Sequence, residues 1–549
     1  MSSLRRGWLV MLARLLGLGV LAFVLVGCGA ASSEALSGFG AAPPDPQCET
    51  ASDCSAGLEC HGELRICTVQ KAPTRSIALV AEPQPESALA PSHQGVVQLD
   101  PANPVVDVVL PRTVRLTGRV RVMGNALDAS VEASLFAIAE EEVIPGEVRA
   151  TQANVTNDFA LVLQAGVSYT LTIAAPAPDG GRPNYATTIQ YSEDADMTFW
   201  LPALSSLPSL RGRVVRAVGN GTAPIADVRV SAAAENGGGA CTTATTGKLG
   251  DFLIRCPQTG NYAIAVRGTE DGPVVPSFHA RLLYGTSRVD AWPVEDGENT
   301  LTDIEVPGSA TEANVSVQVF FGGAALQSTS VTAVTTWPDS DTFRDATLRV
   351  TALTDRTGTA RLRVLEATYD LHAIPTTEEA GASGVKASVS VRGDASQTMT
   401  LEPRPIATGV VVDSAGTPVP DARVAFRAIV ADPGTGGTVA REFVGQSDEA
   451  GAYAVPIDRG TYELQVEPLS ESGLPSHVQR GLEVGESGLG VDVALAPALV
   501  LEGTGYGPGS KPVERVDVHA LDIRDGVVTA LGRGRTDAYG RYFIILPAN

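Results

Sequence analysis

Short stretches in which apolar and polar residues alternate recur along the chain, most clearly between residues 405 and 466. Within residues 462–466, the Tyr, Leu and Val fall on one face of an extended strand, and the Glu and Gln fall on the other. Segments rich in Gly, Pro and Asp separate these stretches. Alternating strands between closely spaced turns predict a small all-β sandwich.

The pattern recurs, which indicates a tandem array rather than one large domain. Each repeat has a first part, here called its front half, and a second part, its back half. Each back half opens on a strand that begins with Tyr, as at Tyr169, Tyr262, Tyr369 and Tyr462. We expect each ring to lie in a core, with its hydroxyl hydrogen-bonded at a corner of the sandwich. The repeats divide this region into four sandwiches, at residues 114–204, 205–310, 311–402 and 403–497.

One type of turn recurs within the chain. Asp355, Asp448 and Asp537 each follow a Thr or Ser and precede a Gly by three residues. The Asp side chain can accept a backbone N–H of the turn, and the Gly can adopt the left-handed conformation. A calcium site is the alternative, but the sequence lacks a companion set of oxygen ligands.

The two ends of the array are incomplete in complementary ways. Residues 79–89 align without gaps to 464–474, so 71–113 read as a back half without a front half. Residues 498–549 read as a front half that stops after one hairpin. An unfinished sandwich would leave open sheet edges and an uncovered core face.

Three explanations for the incomplete ends remain open at this stage. In the first, the Cys-rich region covers the first fragment and the chain is truncated at its C-terminus. In the second, the last fragment pairs with 403–497. In the third, the N-terminal strands of one molecule complete the C-terminal fragment of another, head to tail.

The repeats resemble carboxypeptidase regulatory-like domains, which belong to the transthyretin (prealbumin)-like β-sandwich family. The resemblance covers most of residues 114–549, although the repeats at 114–204 and 311–402 are degenerate. Because its motifs are turn and core residues, it implies a fold and not an activity. In relatives, such domains act as accessory modules of exported enzymes, receptors and surface stalks. The residues that carry the match are Gly409, Val411, Asp413, Gly416, Pro418, Val419, Asp448, Gly451, Tyr453, Gly460, Tyr462 and Leu464.

Residues 1–27 have the features of a secretory signal: an Arg-containing start, an apolar run and small residues before a Cys. The sequence Leu-Val-Gly-Cys ending at Cys28 resembles a bacterial lipobox, which implies cleavage before Cys28 and its lipidation. Because Gly29 rather than Asp follows, the resemblance implies an outer-membrane location. A plain transmembrane anchor is the alternative. Residues 28–47, rich in Gly, Ala, Ser and Pro, read as a flexible tether.

Six of the seven cysteines remain after Cys28, an even number that favours disulfides in an exported protein. Cys48, Cys54, Cys60 and Cys67 define a small disulfide knot at residues 48–70, and their spacing leaves all three connectivities open. Zinc is the competing interpretation, but it favours Cys-x2-Cys pairs, which the cluster lacks.

Cys241 and Cys256 are expected to form a second kind of disulfide. With residues 247–250 as a four-residue loop, a regular hairpin places the two cysteines directly opposite each other. A non-hydrogen-bonded pair has the close spacing that suits a cross-strand disulfide.

Composition and motifs argue against catalysis. A net charge of −22 makes a nucleic-acid partner improbable. The six His form no zinc-protease motif, and His93 and His477 fall on one repeat column, which favours a loop role. The sequence therefore predicts no enzyme, cofactor or metal site. Trp292 and Trp337 lie in polar stretches, where they either stack on a sugar or plug the ends of sandwiches.

The sequence as a whole predicts an outer-membrane lipoprotein, held in the membrane by a lipid on Cys28. It would display Ig-like, prealbumin-like β-sandwiches as a non-catalytic stalk, adhesive or protein-interaction module, with envelope proteins or polysaccharide as partners. One alternative is a carbohydrate-binding surface protein that uses the Trp-lined loops. Another is an accessory subunit of an exported enzyme complex.

Overall fold

A computed structural model describes residues 44–548, except 56–57, 70–74, 86, 101–103, 124–132, 146–148, 156–157, 175–181, 377–380 and 525. The signal peptide, Cys28 and most of the tether therefore lie outside the described residues. The described part is built of β-strands with three short 3-10 turns, at Ala51–Asp53, Leu204–Ser206 and Ser470–Ser472, and it contains no α-helix. The predicted all-β tandem array is confirmed.

The strands of the N-terminal region and of the first two sandwiches follow in chain order. The N-terminal region contains β1 Glu59–Cys60, β2 Cys67–Thr68, β3 Arg75–Glu82, β4 Ser92–Leu99 and β5 Val108–Val109. Sandwich 1 contains β6 Thr113–Val122, β7 Ala133–Ala139, β8 Ala150–Val155, β9 Phe159–Gln164, β10 Ser168–Ala174, β11 Asn184–Gln190 and β12 Ala195–Leu201. Sandwich 2 contains β13 Ser209–Val218, β14 Gly221–Pro224, β15 Val228–Ala234, β16 Gly239–Ala240, β17 Ala244–Thr245, β18 Asp251–Arg255, β19 Gly260–Gly268, β20 Ser277–Ala280, β21 Leu282–Tyr284, β22 Ser287–Val289, β23 Trp292–Val294, β24 Glu298–Thr300 and β25 Ile304–Glu305.

The remaining strands form two further sandwiches and the C-terminal segment. Sandwich 3 contains β26 Glu312–Phe321, β27 Ala324–Ala325, β28 Ser330–Thr336, β29 Phe343–Leu353, β30 Thr359–Leu365, β31 Thr368–Ile374, β32 Gly384–Ser390 and β33 Ala395–Leu401. Sandwich 4 contains β34 Ile406–Val412, β35 Arg423–Ala431, β36 Thr438–Gln446, β37 Ala452–Pro456, β38 Gly460–Glu467, β39 His477–Val484, β40 Leu489–Gly490 and β41 Val493–Ala494. The C-terminal segment contains β42 Ala498–Gly507, β43 Lys511–Pro512, β44 Asp517–Arg524, β45 Val527–Arg535 and β46 Arg541–Pro547.

Sandwich 4 shows the architecture of the repeat. One sheet has the order β36-β35-β38-β39, and the other is centred on β34, with β37 antiparallel to it and β40 and β41 parallel to it. Alternate residues of both sheets point inward, and Phe426, Leu464 and Val466 are fully buried between them. The period-two pattern of the sequence therefore becomes the core of each sandwich.

The predicted Asp and Gly turns have the expected geometry. Oδ1 of Asp448 accepts the backbone N–H groups of Ala450 and Ala452 at 2.9 and 2.8 Å. Gly451 has a φ of +74°, which favours glycine. The preceding Ser447 is buried, and its hydroxyl donates to the carbonyl of Val419 at 2.8 Å. The carboxylate is therefore used within the turn, as the structural interpretation of this motif requires.

The recurrent Tyr rings lie in the cores, as predicted. The hydroxyls of Tyr262 and Tyr369 donate to the carbonyls of Gln258 and Leu365, at 3.0 and 2.7 Å. Burial raises the pKa of Tyr262 to about 12. Each ring thus closes the corner before its own strand, and the hydroxyl acts as a structural donor.

Sandwiches 1, 2 and 3 share one continuous sheet of 14 strands. β11 pairs with β16 at the first junction, and β20 pairs with β29 at the second. Gly239 makes the first junction possible, because a Cβ there would lie 2.2 Å from the carbonyl oxygen of Asn184. Edges that would otherwise be open are therefore paired between neighbouring sandwiches.

Sandwiches 3 and 4 meet where Ser383 of sandwich 3 contacts a buried charge network of sandwich 4. The Asp458 carboxylate, 7% exposed, lies between the guanidinium groups of Arg404 and Arg441, at 3.0 and 2.5 Å. It also accepts a hydrogen bond from the hydroxyl of Ser383 in sandwich 3, at 2.9 Å. Both guanidinium groups lie over the ring of Phe443, 5.3 and 5.4 Å from its centre. The three charged groups all belong to sandwich 4, and the Ser383 hydroxyl also accepts a hydrogen bond from Arg441 at 2.8 Å, so sandwich 3 adds a polar partner to a charge network that sandwich 4 holds in place.

The incomplete ends of the chain complete each other within the same molecule. β3 pairs antiparallel with β44, and β5 pairs parallel with β42, so strands β3–β5 and β42–β46 form one sandwich, here named the closing sandwich. None of the three sequence-based explanations is correct. The third anticipated the strand donation but placed it between two molecules. The shared core consists of Ile77, Leu79, Ala81, Leu99, Val108, Leu110, Leu499, Leu501, Val516, Val518, Ala520, Leu531, Tyr542, Ile544 and Leu546.

The N-terminal strands replace the back half that the C-terminal segment lacks, contact for contact. The Tyr542 hydroxyl donates to the carbonyl of Val106 at 2.5 Å, as Tyr453 does to Val491 in sandwich 4 at 2.6 Å. Asp107 accepts the N–H of Thr504 at 2.9 Å, which is the position that Asp492 has in sandwich 4. The sequence match between 106–111 and 491–497 is therefore a structural equivalence.

The closing sandwich contacts both sandwich 1 and sandwich 4, so the junctions form a closed cycle of five. On one side, Ala78 and Val80 of β3 cluster with Ile144 of sandwich 1. On the other, the Thr529 hydroxyl of β45 donates to the Glu463 carboxylate of β38 at 2.8 Å. The sandwiches are thus arranged in a ring rather than as an open string.

The disulfide knot packs against the C-terminal segment, not against the first fragment as one explanation required. Ile66 is fully buried with Ala498 and Val500 on the outer face of β42. His61 Nε2 lies 2.7 Å from the Glu502 carboxylate, and Glu63 pairs with Arg541 at 3.1 Å. The knot therefore covers the strand at which the ring closes.

A glycine at the closure provides a test of the ring. A Cβ at Gly503 would lie 1.8 Å from the carbonyl oxygen of Val106 and 2.7 Å from the ring of Tyr542. We expect Gly503→Ala to lower the free energy of unfolding by about 3 kcal/mol. Amide hydrogen exchange in peptides covering β3 and β46 should rise at the same time.

The matched control is Gly490→Ala, whose added Cβ meets no atom within 4 Å. It should leave both the unfolding free energy and the exchange pattern close to those of the wild type. Equal exchange in β3 for the two variants would contradict closure within one chain.

Candidate functional site

The knot cysteines form the disulfides Cys48–Cys60 and Cys54–Cys67, which is one of the three connectivities the sequence left open. The sulfur atoms of Cys48, Cys54 and Cys67 lie within 4.8 Å of one another. Because all are engaged in disulfides, they offer no thiolate ligand to zinc.

Cys241 and Cys256 are also joined by a disulfide, with a Cα–Cα distance of 4.0 Å. The hairpin expected around them is not formed, however, because β17 pairs with β15 and β18 pairs with β13. The chain crosses between the two sheets at residues 247–250, so the disulfide links the two layers of sandwich 2 instead of two strands in one ladder.

The two tryptophans proposed for sugar stacking both pack against the sandwich cores. Trp292 is 8% exposed and packs edge-on against Tyr284, at 5.2 Å between ring centres. Trp337 is half-buried and contacts the cores of sandwiches 2 and 3 together. Tertiary packing therefore places both rings against cores, although they lie in polar sequence.

A tryptophan that the sequence analysis passed over is the exposed one. Trp200 on β12 is 50% exposed, and the guanidinium of Arg121 lies 5.9 Å from its ring centre. Its surroundings in sequence are apolar, which predicts burial. It is exposed because successive residues of a strand point to opposite faces, and the adjacent Leu201 takes the buried position.

The candidate site is a charged cleft of about 280 Å³ between sandwich 4 and the closing sandwich. It is assembled from three separate parts of the chain: the start of β3, the start of β39, and strands β44–β46. We name it the closure cleft. Its lining consists of Arg75, His477, Val478, Arg480, Asp522, Arg524, Leu531 and Pro547.

Arg480 is the central side chain of the closure cleft. Its Nε lies 2.6 Å from the Glu463 carboxylate, and its Nη2 donates to the Thr529 hydroxyl at 2.7 Å. Its Nη1 lies 3.6 Å from Asp522, and Arg524 approaches the same carboxylate at 3.1 Å. Two sandwiches are thus held together by one network of charges with limited exposure.

His477 lies on the wall of the closure cleft, at the first position of β39. It pairs with Val466, whereas His93 pairs with Val80, which corresponds to Gln465. The two histidines are therefore one residue apart in the repeat, and both are on strands, so the predicted shared loop column was wrong. Burial lowers the pKa of His477, partly opposed by a hydrogen bond with Gln479.

The chemistry available in the closure cleft is that of binding. Arginine and imidazole donors converge on a cavity, with one carboxylate between them. The sequence analysis missed this site because no short motif contains it. Residues 75, 477 and 524 meet only when the ring closes.

No protein-family model matches the sequence, and no curated protein matches it. Among solved structures, the chain is similar to the Bacillus anthracis TIE protein, with 12% identity over 70% of this chain and 74% of that one, and a TM-score of 0.15. It is similar to a streptococcal ancillary pilin, with 11% identity over 54% of this chain and 100% of that one, and a TM-score of 0.20. It is also similar to GBS52, the minor pilin of Streptococcus agalactiae, with 14% identity over 36% of this chain and 98% of that one, and a TM-score of 0.19.

These identities and TM-scores are too low to transfer a function, so the description of the fold depends on the strands and sheets themselves. Within the described part of the chain, no helix is both long enough and apolar enough to cross a membrane.

The burial of His477 predicts a pH dependence of stability. Its pKa is lowered from 6.5 in the folded state, so below pH 6.5 the unfolded chain binds a proton that the folded chain does not. The free energy of unfolding should therefore fall as the pH drops from 6.5 through the folded-state pKa. In His477→Gln this part of the slope should disappear, which urea unfolding at pH values from about 7 to about 5 can measure.

His372 and His519 also have pKa values lowered by burial, and both remain in the variant. The difference between the two slopes therefore isolates His477. Identical slopes for wild type and variant would show that His477 is not buried at the closure.

Proposed function

We propose that this protein is a non-catalytic, lipid-anchored module of the cell envelope that presents a rigid ring of β-sandwiches for adhesion or protein interaction. The observation that carries the proposal is the closed cycle of five junctions, completed by the two chain ends. A ring of this kind holds its outer surfaces in fixed relative positions.

Rigidity favours a display role. Two junctions are sheet ladders, and at a third Ser383 of sandwich 3 hydrogen-bonds to the buried Asp458 carboxylate of sandwich 4. Surfaces that do not reorganise lose little conformational entropy on binding, so a partner that spans two sandwiches gains affinity. The three disulfides favour an exported protein, because such bonds persist in oxidising compartments.

The anchoring part of the proposal places a lipid on Cys28 and the ring at the outer membrane. The backbone N–H of Asp45 donates to the carbonyl of Glu471 at 2.8 Å, so the described chain starts beside sandwich 4. The 15 residues between Cys28 and Pro44 allow a separation of at most about 55 Å when the chain is extended. The ring would then stand close to the membrane surface, where envelope proteins and polysaccharide are available as partners.

We assign the sandwiches to the carboxypeptidase regulatory-like, prealbumin-like type as part of this proposal. Its support is the turn built on Asp448 and Gly451 and the tyrosine that follows it. The hydroxyl of Tyr453 reaches the opposite strand of the same sheet. These are the positions that carry the sequence resemblance, and each has a structural role.

The lipid anchor is tested at Cys28. Wild-type protein expressed in a Gram-negative host should incorporate labelled palmitate and sediment with outer membranes. Cys28→Ala should lose the label and leave the membrane fraction, because its thiol acceptor is gone. Ser32→Ala is the matched control in the same segment and should behave as wild type. Undiminished labelling of Cys28→Ala would overturn the anchor.

Carbohydrate binding is a second candidate function, and Trp200 is the observation that favours it. A half-exposed indole with a neighbouring guanidinium on a sheet face offers a stacking surface and hydrogen-bond donors to a sugar. The site differs from the one the sequence suggested.

If this second function holds, Trp200→Ala should lower glycan-array signal by about tenfold or more, since stacking of one ring contributes roughly 1–3 kcal/mol. The matched control is Val162→Ala on β9 of the same sheet, which is 54% exposed. Equal signals for the two variants would exclude Trp200 as a sugar platform.

A further inference from the structure

We propose that the closure cleft is a binding site for a small oxyanion: phosphate, sulfate or the carboxylate of an acidic sugar. The proposal goes beyond the display function and does not depend on it. It follows from the charge, the hydrogen-bond donors and the size of the cleft, and each points to the same class of ligand.

The charge of the closure cleft is opposite to that of the protein. The chain as a whole has a net charge of −22. In the cleft, by contrast, Arg75, Arg480 and Arg524 face two carboxylates, those of Asp522 and Glu463. A surplus of positive charge in a partly enclosed cleft attracts and holds an anion.

The positively charged arginines of the cleft also repel one another. Burial is the main cause that lowers the pKa of Arg75; the Asp522 carboxylate opposes this lowering, and the neighbouring Arg524 adds to it. Asp522 is shared by Arg480 and Arg524, and with Glu463 it places two carboxylates against three guanidinium groups. An anion between Arg75 and Arg524 would relieve their repulsion.

Two side-chain nitrogen atoms in the cleft are buried without a hydrogen-bond partner in the described part of the chain; the guanidinium nitrogen is a donor, and the imidazole nitrogen is a donor in the tautomer that carries its proton there. They are Nη1 of Arg480 and Nε2 of His477. Leaving a buried donor unsatisfied costs roughly 1–3 kcal/mol, so such groups mark places where a ligand can bind with a gain. The planar guanidinium fork matches the oxygen spacing of phosphate, sulfate and carboxylate.

The size of the cleft limits the ligand. A volume of about 280 Å³ lies just below the range of sites for drug-sized molecules, so it suits a single acidic group. Because the lining comes from β3, β39 and β44, the bound anion would join sandwich 4 to both ends of the chain. Binding would therefore stabilise the closed ring.

Isothermal titration calorimetry of the purified full chain with phosphate, sulfate and glucuronate, at constant ionic strength, tests the proposal. It also distinguishes the three candidate ligands from one another. At least one anion should bind saturably and raise the midpoint of thermal unfolding. Arg524→Gln should weaken that binding by about tenfold, since a hydrogen bond to a charged group contributes roughly 1.5–3 kcal/mol. Arg75→Gln combined with Arg524→Gln should abolish it.

Arg524 is 65% exposed and pairs with Asp522, so its replacement is expected to leave the fold intact, which circular dichroism checks. The matched control is Arg515→Gln, whose side chain is 72% exposed and lies outside the cleft, and it should bind as wild type. NMR of the His477 imidazole should show a shift on titration of the wild type. Absence of saturable binding, or equal binding by Arg524→Gln and Arg515→Gln, would overturn the site.

Discussion

The ladder between β3 and β44 is the interaction on which the rest of the molecule depends. It joins residues 78–82 to 517–521 and brings two half-sandwiches over one core. Neither half could bury its apolar face alone, because a two- or three-stranded sheet with an open face is at best marginally stable. The entropic cost of closing so long a chain rises only with the logarithm of its length, and the folded sandwiches between the ends reduce it further.

The ring follows from contacts between consecutive sandwiches. Neighbours meet through a strand ladder at the first two junctions and through side chains at the others. A head-to-tail contact that repeats with a fixed rotation either grows without end or closes. Here it closes after five units because the first and last units are halves of the same sandwich. Closure also covers edges that an open array would leave unpaired.

Buried charge is concentrated at junctions rather than in cores. Asp458 of sandwich 4 accepts a hydrogen bond from Ser383 of sandwich 3, and Arg480 of sandwich 4 pairs with Asp522 of the closing sandwich at 3.6 Å. Such pairs contribute little net stability but strongly disfavour misalignment, because any shift leaves a charge unpaired. The closure cleft is a by-product of this arrangement. Three chain segments with donors of their own meet there, and the resulting surplus of positive charge is the basis for an anion site.

Local features of the structure were determined by the sequence itself. Alternation defined the strands, Asp448 and Gly451 defined a turn, and Tyr262 defined a core corner, because each depends on residues close in the chain. The complementary end fragments were also visible in sequence. Tertiary structure alone decided that these ends meet in one molecule, that Trp292 is buried while Trp200 is exposed, and that Cys241 and Cys256 link two layers. Those outcomes depend on which surfaces meet across hundreds of residues, and the periodicity of a strand carries no information about its distant neighbours.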